Sequence, residues 1–200
     1  AERSFNNHWG VPLTLARMPA TTAFGVFEIG MNHSGEITPL TKMVHPHTAI
    51  ITNVEPVHLG HFESVEQIAE AKAEIFKGLV SSGVAVLNRD NPHFECLRQH
   101  AADHGVGRIV AFGVHPDANV RLLGCKLGPL GSDITVDLEG TPVACRIGAP
   151  GRHLVQNILA VIAALGVANV DVERATKALT ELTAPKGRGA RKIYRAPDGA

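Results

Sequence analysis

Between residues 24 and 112, short runs of apolar and β-branched residues alternate with stretches whose apolar positions recur every three or four residues. The runs at 24–29, 48–53, 83–88 and 108–112 predict strands. Continuous Val, Ile, Ala and Phe runs of this length suit strands buried on both faces. The intervening stretches 36–43, 64–79 and 92–104 predict helices. Strand, helix, strand in that order calls for a parallel sheet joined by right-handed crossovers. After Gly113 the texture changes. Residues 132–138 alternate polar and apolar, as a half-exposed strand does. Residues 120–127 and 142–147 flank them across Gly-rich turns, so 114–148 reads as a small antiparallel flap of three strands. A long Ala-rich helix is predicted over 152–165 and a shorter one over 172–182. Residues 185–191 read as a linker, and the chain from 193 as the start of another strand. The fold class expected is α/β, a mostly parallel sheet flanked by helices with a small antiparallel β flap.

Composition narrows this picture only a little. The 200 residues are 44% apolar, which is globular rather than disordered. Lys plus Arg equals Asp plus Glu at 19 each, so the chain lacks the basic excess that nucleic-acid binding needs. No apolar run reaches the roughly 18 residues of a membrane span. Cys96, Cys125 and Cys145 are odd in number and far apart, which fits a reducing cytoplasm better than a disulfide framework. Eleven histidines raise the question of zinc, but no cysteine lies near His45, His47, His58 or His61, and a structural zinc site is not expected. A monomer is expected.

Five segments carry candidate chemistry. On a helix over 64–79, Ser64 and Gln67 form a capping-box pattern. Val65, Ile68, Ala69, Ile75, Phe76 and Leu79 fall on one stripe, and Glu66, Glu70, Glu74 and Lys77 on the opposite side. Lys72 lies near the centre of the apolar stripe. Either its stem packs on the core while the amine reaches solvent, or it is desolvated, gives up its proton easily and has a function. Glu28, Gly30 and Asn32 close the first predicted strand, at the sheet edge where open α/β sheets bind ligands. A carboxylate there suits Mg²⁺, which prefers oxygen; a solvated strand-end Glu is the plainer reading. His58 follows the second strand at the same edge. Asn88, Asp90 and Asn91 close the third. Asn91 as N-cap with Pro92 at the first helical position is an ordinary helix start, which leaves Asn88 and Asp90 free to hold a ligand. His153 and Asn157 are four apart on one face near a helix N-terminus, where phosphates are favoured. No G-x-x-x-x-G-K-[ST] phosphate loop occurs.

In this order the segments resemble the Mur ligases. Glu28-Ile-Gly-Met-Asn32-His-Ser-Gly-Glu-Ile37 is similar to the family's E-[IL]-G-x-N-H-x-G-E-I, and Ala71-Lys72-Ala-Glu-Ile-Phe76 to A-K-x-E-I-F. Ser4-Phe-Asn-Asn-His-Trp-Gly-Val-Pro-Leu-Thr14 is similar to N-N-x-x-G-V-P-L-T, and Gly151-Arg-His-Leu-Val-Gln-Asn157 to G-R-H-x-x-x-N. The first and third favour the branch that adds D-alanyl-D-alanine. The resemblance implies an ATP-dependent peptide ligase acting on UDP-N-acetylmuramoyl-tripeptide and D-alanyl-D-alanine through an acyl phosphate. It implies that Glu28, His58 and Lys72 hold Mg²⁺, with Lys72 carbamylated in sister enzymes. It further implies that Asn157, Asn88 and His153 hold the adenine end of ATP, and that Arg188 reaches the phosphates. Asn6, Asn7 and Asn32 would face the peptide substrate.

The resemblance also implies domain limits: a central ATP-binding domain over 1–186, then a linker and the start of a C-terminal domain over 187–200. The phosphate loop is expected before Ala1, so the chain alone is expected to be inactive. Two departures bear on nucleotide contacts: Leu59-Gly-His-Phe-Glu-Ser64 replaces a Gly-rich turn, and Leu154 stands where the family often has Asn. The alternatives are a sister Mur ligase, a folylpolyglutamate synthase-like ligase, a non-catalytic nucleotide-binding module, or a His-rich metal-binding module.

Overall fold

All five residues of strand β2 (Val84–Asn88) are buried, and their side chains alternate between two cores. In the computed structural model, which describes residues 5–56 and 60–183, β2 lies between β1 (Thr48–Ile51) and β3 (Arg108–Gly113). Both neighbours run parallel to it. Three further strands complete a six-stranded sheet in chain order: β4 (Val120–Leu127), β5 (Ser132–Leu138) and β6 (Thr141–Ile147). β4 runs parallel to β3 over Phe112↔Val120 and Gly113↔Arg121, then pairs antiparallel with β5, which pairs antiparallel with β6. The expected flap therefore has its three strands, but it is an extension of the main sheet, because β4 serves both halves. Glu139 and Gly140 turn the chain from β5 to β6 with φ of 51° and 92°, the left-handed pair that a two-residue hairpin requires.

Helices cover both faces, as parallel strands demand. On one face, Ala85 and Leu87 pack with Ala49 and Ile51 of β1 and Ala111 of β3. They meet Ile68 of α3 (Val65–Ala73) and Leu97 of α4 (Phe94–Asp103). On the other face, Val84 and Val86 pack with Phe112, Val120, Ile134 and Val136 beneath α5 (Arg152–Val167). Val155, Ile158, Leu159 and Ile162 supply the buried stripe of α5. α6 (Val172–Ala178) and a 3-10 turn over Leu179–Glu181 close the β6 edge, where Gly148 donates to the Leu179 carbonyl at 2.9 Å. α1 (Gly10–Arg17) and α2 (Ile37–Val44) precede the sheet. No described helix is long and apolar enough to cross a membrane.

Five sequence expectations change. Residues 24–29 are extended but belong to no ladder: Phe24 is 66% and Val26 93% exposed, with no strand beside them among the described residues. The helix over 64–79 is α-helical only to Ala73 and continues as a 3-10 turn over Glu74–Gly78, which packs closely on α2. Glu74, placed on the polar side by periodicity, is buried. Helix α4 begins at Phe94 rather than Pro92: the Asn91 Oδ1 accepts the His93 amide at 2.9 Å and its carbonyl accepts the Phe94 amide at 3.0 Å, a turn that precedes the helix. The helix over 172–182 likewise ends its α-helical part at Ala178. α1 is an element that the hydrophobic pattern left unread.

Candidate functional site

The three parallel strands end on one edge of the sheet, and the tetrapeptide after β2 stitches that edge together. The Asn88 Nδ2 donates to the Thr52 carbonyl at 3.1 Å, and its Oδ1 accepts the Asp90 amide at 3.0 Å. The Asp90 carboxylate accepts the amides of Val114 (2.8 and 3.0 Å) and His115 (3.0 Å) just beyond β3. The Asn91 Nδ2 donates to Asn53 Oδ1 and to the Val54 carbonyl (3.1 Å). Asn88 and Asp90, which the sequence alone left uncommitted, are engaged in these bonds. They hold the loops after β1 and β3 in place. The Asn-x-Asp-Asn spacing is the signal for this, since Asx side chains readily bond backbone two residues on.

Glu28 is exposed at the end of the extended segment. The Asn6 Nδ2 donates to its Oε1 at 3.1 Å, and the Asn6 carbonyl accepts the Gly30 amide at 2.8 Å. A Cβ on Gly30 would lie 2.7 Å from Asn6 Nδ2, so the close approach needs glycine. Asn7 does something different: its Oδ1 accepts the Trp9 (3.1 Å) and Gly10 (2.9 Å) amides and caps α1. Asn32 is exposed, and its backbone amide donates to Glu36 Oε2 at 2.7 Å. That bond, with help from His33 at 3.2 Å, holds the Glu36 carboxyl below the usual range. The His33 ring meets the His61 ring, with centroids 4.6 Å apart.

Lys72 stands half-buried on α3, with no ion pair or hydrogen bond among the described residues. Burial pulls its amine below the ordinary lysine range. The apolar-stripe placement read from the sequence is therefore the observed one. Ser64 caps α3 by accepting the Gln67 amide at 3.2 Å, while Gln67 Oε1 returns a bond to the Glu63 amide. Glu74, which periodicity missed, accepts the amides of Gly35 and Thr38 and the Thr38 hydroxyl.

His153 and Asn157 lie exposed on one side of the first turns of α5, which opens from Gly151 at φ 126°. Their helix backs onto the strands whose ends carry Thr52 and Asn88. His58 and Arg188 lie outside the described residues. Among the described residues, no three His, Cys, Asp or Glu side chains converge on a metal position. Glu28 is an oxygen donor of the kind a hard cation takes. Lys72 as a bare amine is not, although a neutral, unpartnered amine is the form that can gain a carboxylate.

The model of the Mur ligase middle domain matches residues 1–165. The chain belongs to the Mur ligase family. Over 188 residues this Mur ligase chain is 32% identical to the UDP-N-acetylmuramoyl-tripeptide–D-alanyl-D-alanine ligase of Rickettsia prowazekii, covering 93% of the chain and 41% of that relative. It is 41% identical to the corresponding ligase of Haemophilus influenzae over 103 residues, covering 52% of the chain and 22% of the relative. Its fold superposes on MurF from Acinetobacter baumannii with a TM-score of 0.87 and 30% identity, over 96% of this chain and 41% of that one. MurF from Thermotoga maritima in complex with ADP shares the fold at 21% identity, with a TM-score of 0.76 over 94% of this chain and 42% of that one. The chain thus spans about two-fifths of the length of most of these relatives.

Proposed function

We propose that this chain is the ATP-handling part of a Mur ligase that joins D-alanyl-D-alanine to UDP-N-acetylmuramoyl-tripeptide. The observation that carries the reading is the likeness to a ligase of that name along 93% of the chain. The desolvated amine of Lys72, without a partner among the described residues, supports it. In the proposed reaction ATP phosphorylates a carboxylate of the nucleotide-linked peptide, and the amine of the dipeptide then displaces phosphate. Glu28, His58 and Lys72 would hold Mg²⁺, which offsets the charge gathering on the transferring phosphoryl group. Asn6 orients Glu28 for that task. Asn157 and His153 would meet the adenine end from the exposed side of α5, and Arg188 the phosphates. Asn88 would shape that pocket through the Thr52 carbonyl. Asn32, exposed beside Glu28, is the better placed of the substrate-facing asparagines, because the Asn7 side-chain oxygen is engaged in its cap. The setting is the cytoplasm, where free cysteines persist.

The test is phosphate release by the full-length protein with Mg-ATP, the UDP-linked tripeptide and D-alanyl-D-alanine, beside its Lys72→Ala variant. Release that needs both acceptors and largely disappears in the variant supports the reading. Nucleotide binding without release for any amino acid or dipeptide refutes it.

A further inference from the structure

Glu74 lies two residues beyond Lys72, buried against the start of α2. Its Oε1 accepts the Gly35 amide, and its Oε2 accepts the Thr38 amide at 3.0 Å and the Thr38 hydroxyl at 2.9 Å. These donors sit at the N-terminus of α2, where a carboxylate is favoured and the amides lack helical partners. They also end the loop that leaves Glu28. The contact continues beyond the carboxylate. The Thr41 hydroxyl donates to the Ile75 carbonyl at 2.8 Å, and a Cβ on Gly78 would lie 2.3 Å from the Thr41 carbonyl carbon. Two segments far apart in sequence are therefore locked at a fixed spacing by one side chain and a glycine. One carries Glu28 and the other Lys72.

The local winding sets which way Lys72 points. Residues two apart on a helix face nearly opposite sides. With Glu74 held inward against α2, Lys72 is turned away from it, and the change from α to 3-10 geometry falls at Glu74. The 3-10 stretch closes the C-terminal end of the helix, where such turns are common, and here it carries the Glu74 contact.

We infer that Glu74 is a positioning residue that sets the separation of Glu28 and Lys72 and so tunes divalent-cation affinity at the site between them. The inference rests on the reading above in assigning those two residues to the cation. Mg²⁺ tolerates little departure from ideal geometry, and loss of a partner that supports metal ligands commonly costs 10- to 100-fold in metal affinity.

The experiment uses the full-length protein with Glu74→Gln and Thr38→Val. The first presents an amide where three donors converge; the second removes only the hydroxyl bond. Mn²⁺ binding in the presence of ATP is followed by electron paramagnetic resonance, beside the Mg²⁺ concentration for half-maximal phosphate release and the melting temperature. The expected result is cation binding weakened about 10-fold in Glu74→Gln and less in Thr38→Val, with KM for ATP at saturating Mg²⁺ changed less than about twofold. Unchanged Mn²⁺ binding in a folded variant overturns the inference, and so does a wild-type protein that binds no Mn²⁺. If Glu74→Gln does not fold, Thr38→Val decides alone. A wild type that binds Mn²⁺ but does not ligate refutes the ligase reading and leaves the Mn²⁺ titration to judge Glu74.

Discussion

Asn6 grips both ends of the Glu28-Ile-Gly30 turn: its amide reaches the Glu28 carboxylate at 3.1 Å, and its carbonyl takes the Gly30 amide at 2.8 Å. This is the means by which the first Asn of the N-N-x-x-G segment bears on the Glu28 carboxylate. The segment around Glu28 is otherwise extended and pairs with no strand among the described residues, and this contact contributes to its aim.

Gly30→Ala should break that grip. The new Cβ would meet Asn6 Nδ2 at 2.7 Å, and the carboxamide must swing away. Because the turn lies outside both cores, the melting temperature should change little. In the full-length protein, phosphate release at limiting Mg²⁺ should fall about 10-fold and recover in part at high Mg²⁺. Titrating Mg²⁺ against both proteins checks this, and identical curves would contradict it.

Gly78→Ala should act on stability instead. Its Cβ would lie 2.3 Å from the backbone of Thr41, so α2 must shift. The expected cost is about 3 kcal/mol, or roughly 6–12 °C in Tm. Gly166, exposed in the last turn of α5 with open space around it, is the control. Alanine there should stabilise by about 0.5–1 kcal/mol. Thermal melts of the two variants should move in opposite directions.

These glycines mark where the sequence ran out of information. Strands β1 to β6 and helices α2 to α5 were legible because their apolar spacing is set by burial, and each lies within a few residues of its expected bounds except α3, which gives way to a 3-10 turn at Glu74. Lys72 was legible for the same reason, since a charge on an apolar stripe contradicts its surroundings. Glu74 was not. Periodicity assigns it to the solvent side, and only the arrival of α2, with its bare N-terminal amides, makes burial favourable. The roles of Asn88 and Asp90 were hidden similarly, since their partners Thr52, Val114 and His115 come from other strands. The motif resemblance singled out the candidate loops but not which of their side chains are structural: Asn7 caps a helix beside an Asn6 that bonds the Glu28 carboxylate.

Lys72→Met should raise stability near neutral pH. Burial disfavours the ammonium, so the folded-state pKa lies below the unfolded value of about 10.4. The folded state then binds fewer protons between those values. The penalty is present in full below the folded pKa and fades as pH rises toward the unfolded one. Removing the amine therefore stabilises most near pH 7 and least near pH 10, which urea unfolding at both values measures. An equal effect at both would mean that the amine is fully solvated. The same variant in the full-length protein should lose ligation.

Asp90→Ala should loosen the turn between β3 and β4. It strips the amides of Val114 and His115 of their acceptor, at a cost of about 1–3 kcal/mol. Hydrogen exchange should accelerate at those two amides more than at Val86 in the sheet centre. Uniform acceleration across the sheet would point to global unfolding instead.

The shared strand β4 has a consequence for how the molecule assembles. β4, β5 and β6 are joined by the short connections 128–131 and 139–140, so their pairings close small loops on the microsecond scale of hairpins. The parallel pairings of β1, β2 and β3 each wait for a crossover of some 20 residues or more to fold over, and long-range pairing is slow. The meander is therefore expected to form first and to offer, in the first residues of β4, a ready edge on which β3, then β2 and β1, are laid in turn. On this account the small antiparallel half, which carries none of the proposed cation ligands, is the template from which the parallel half is built.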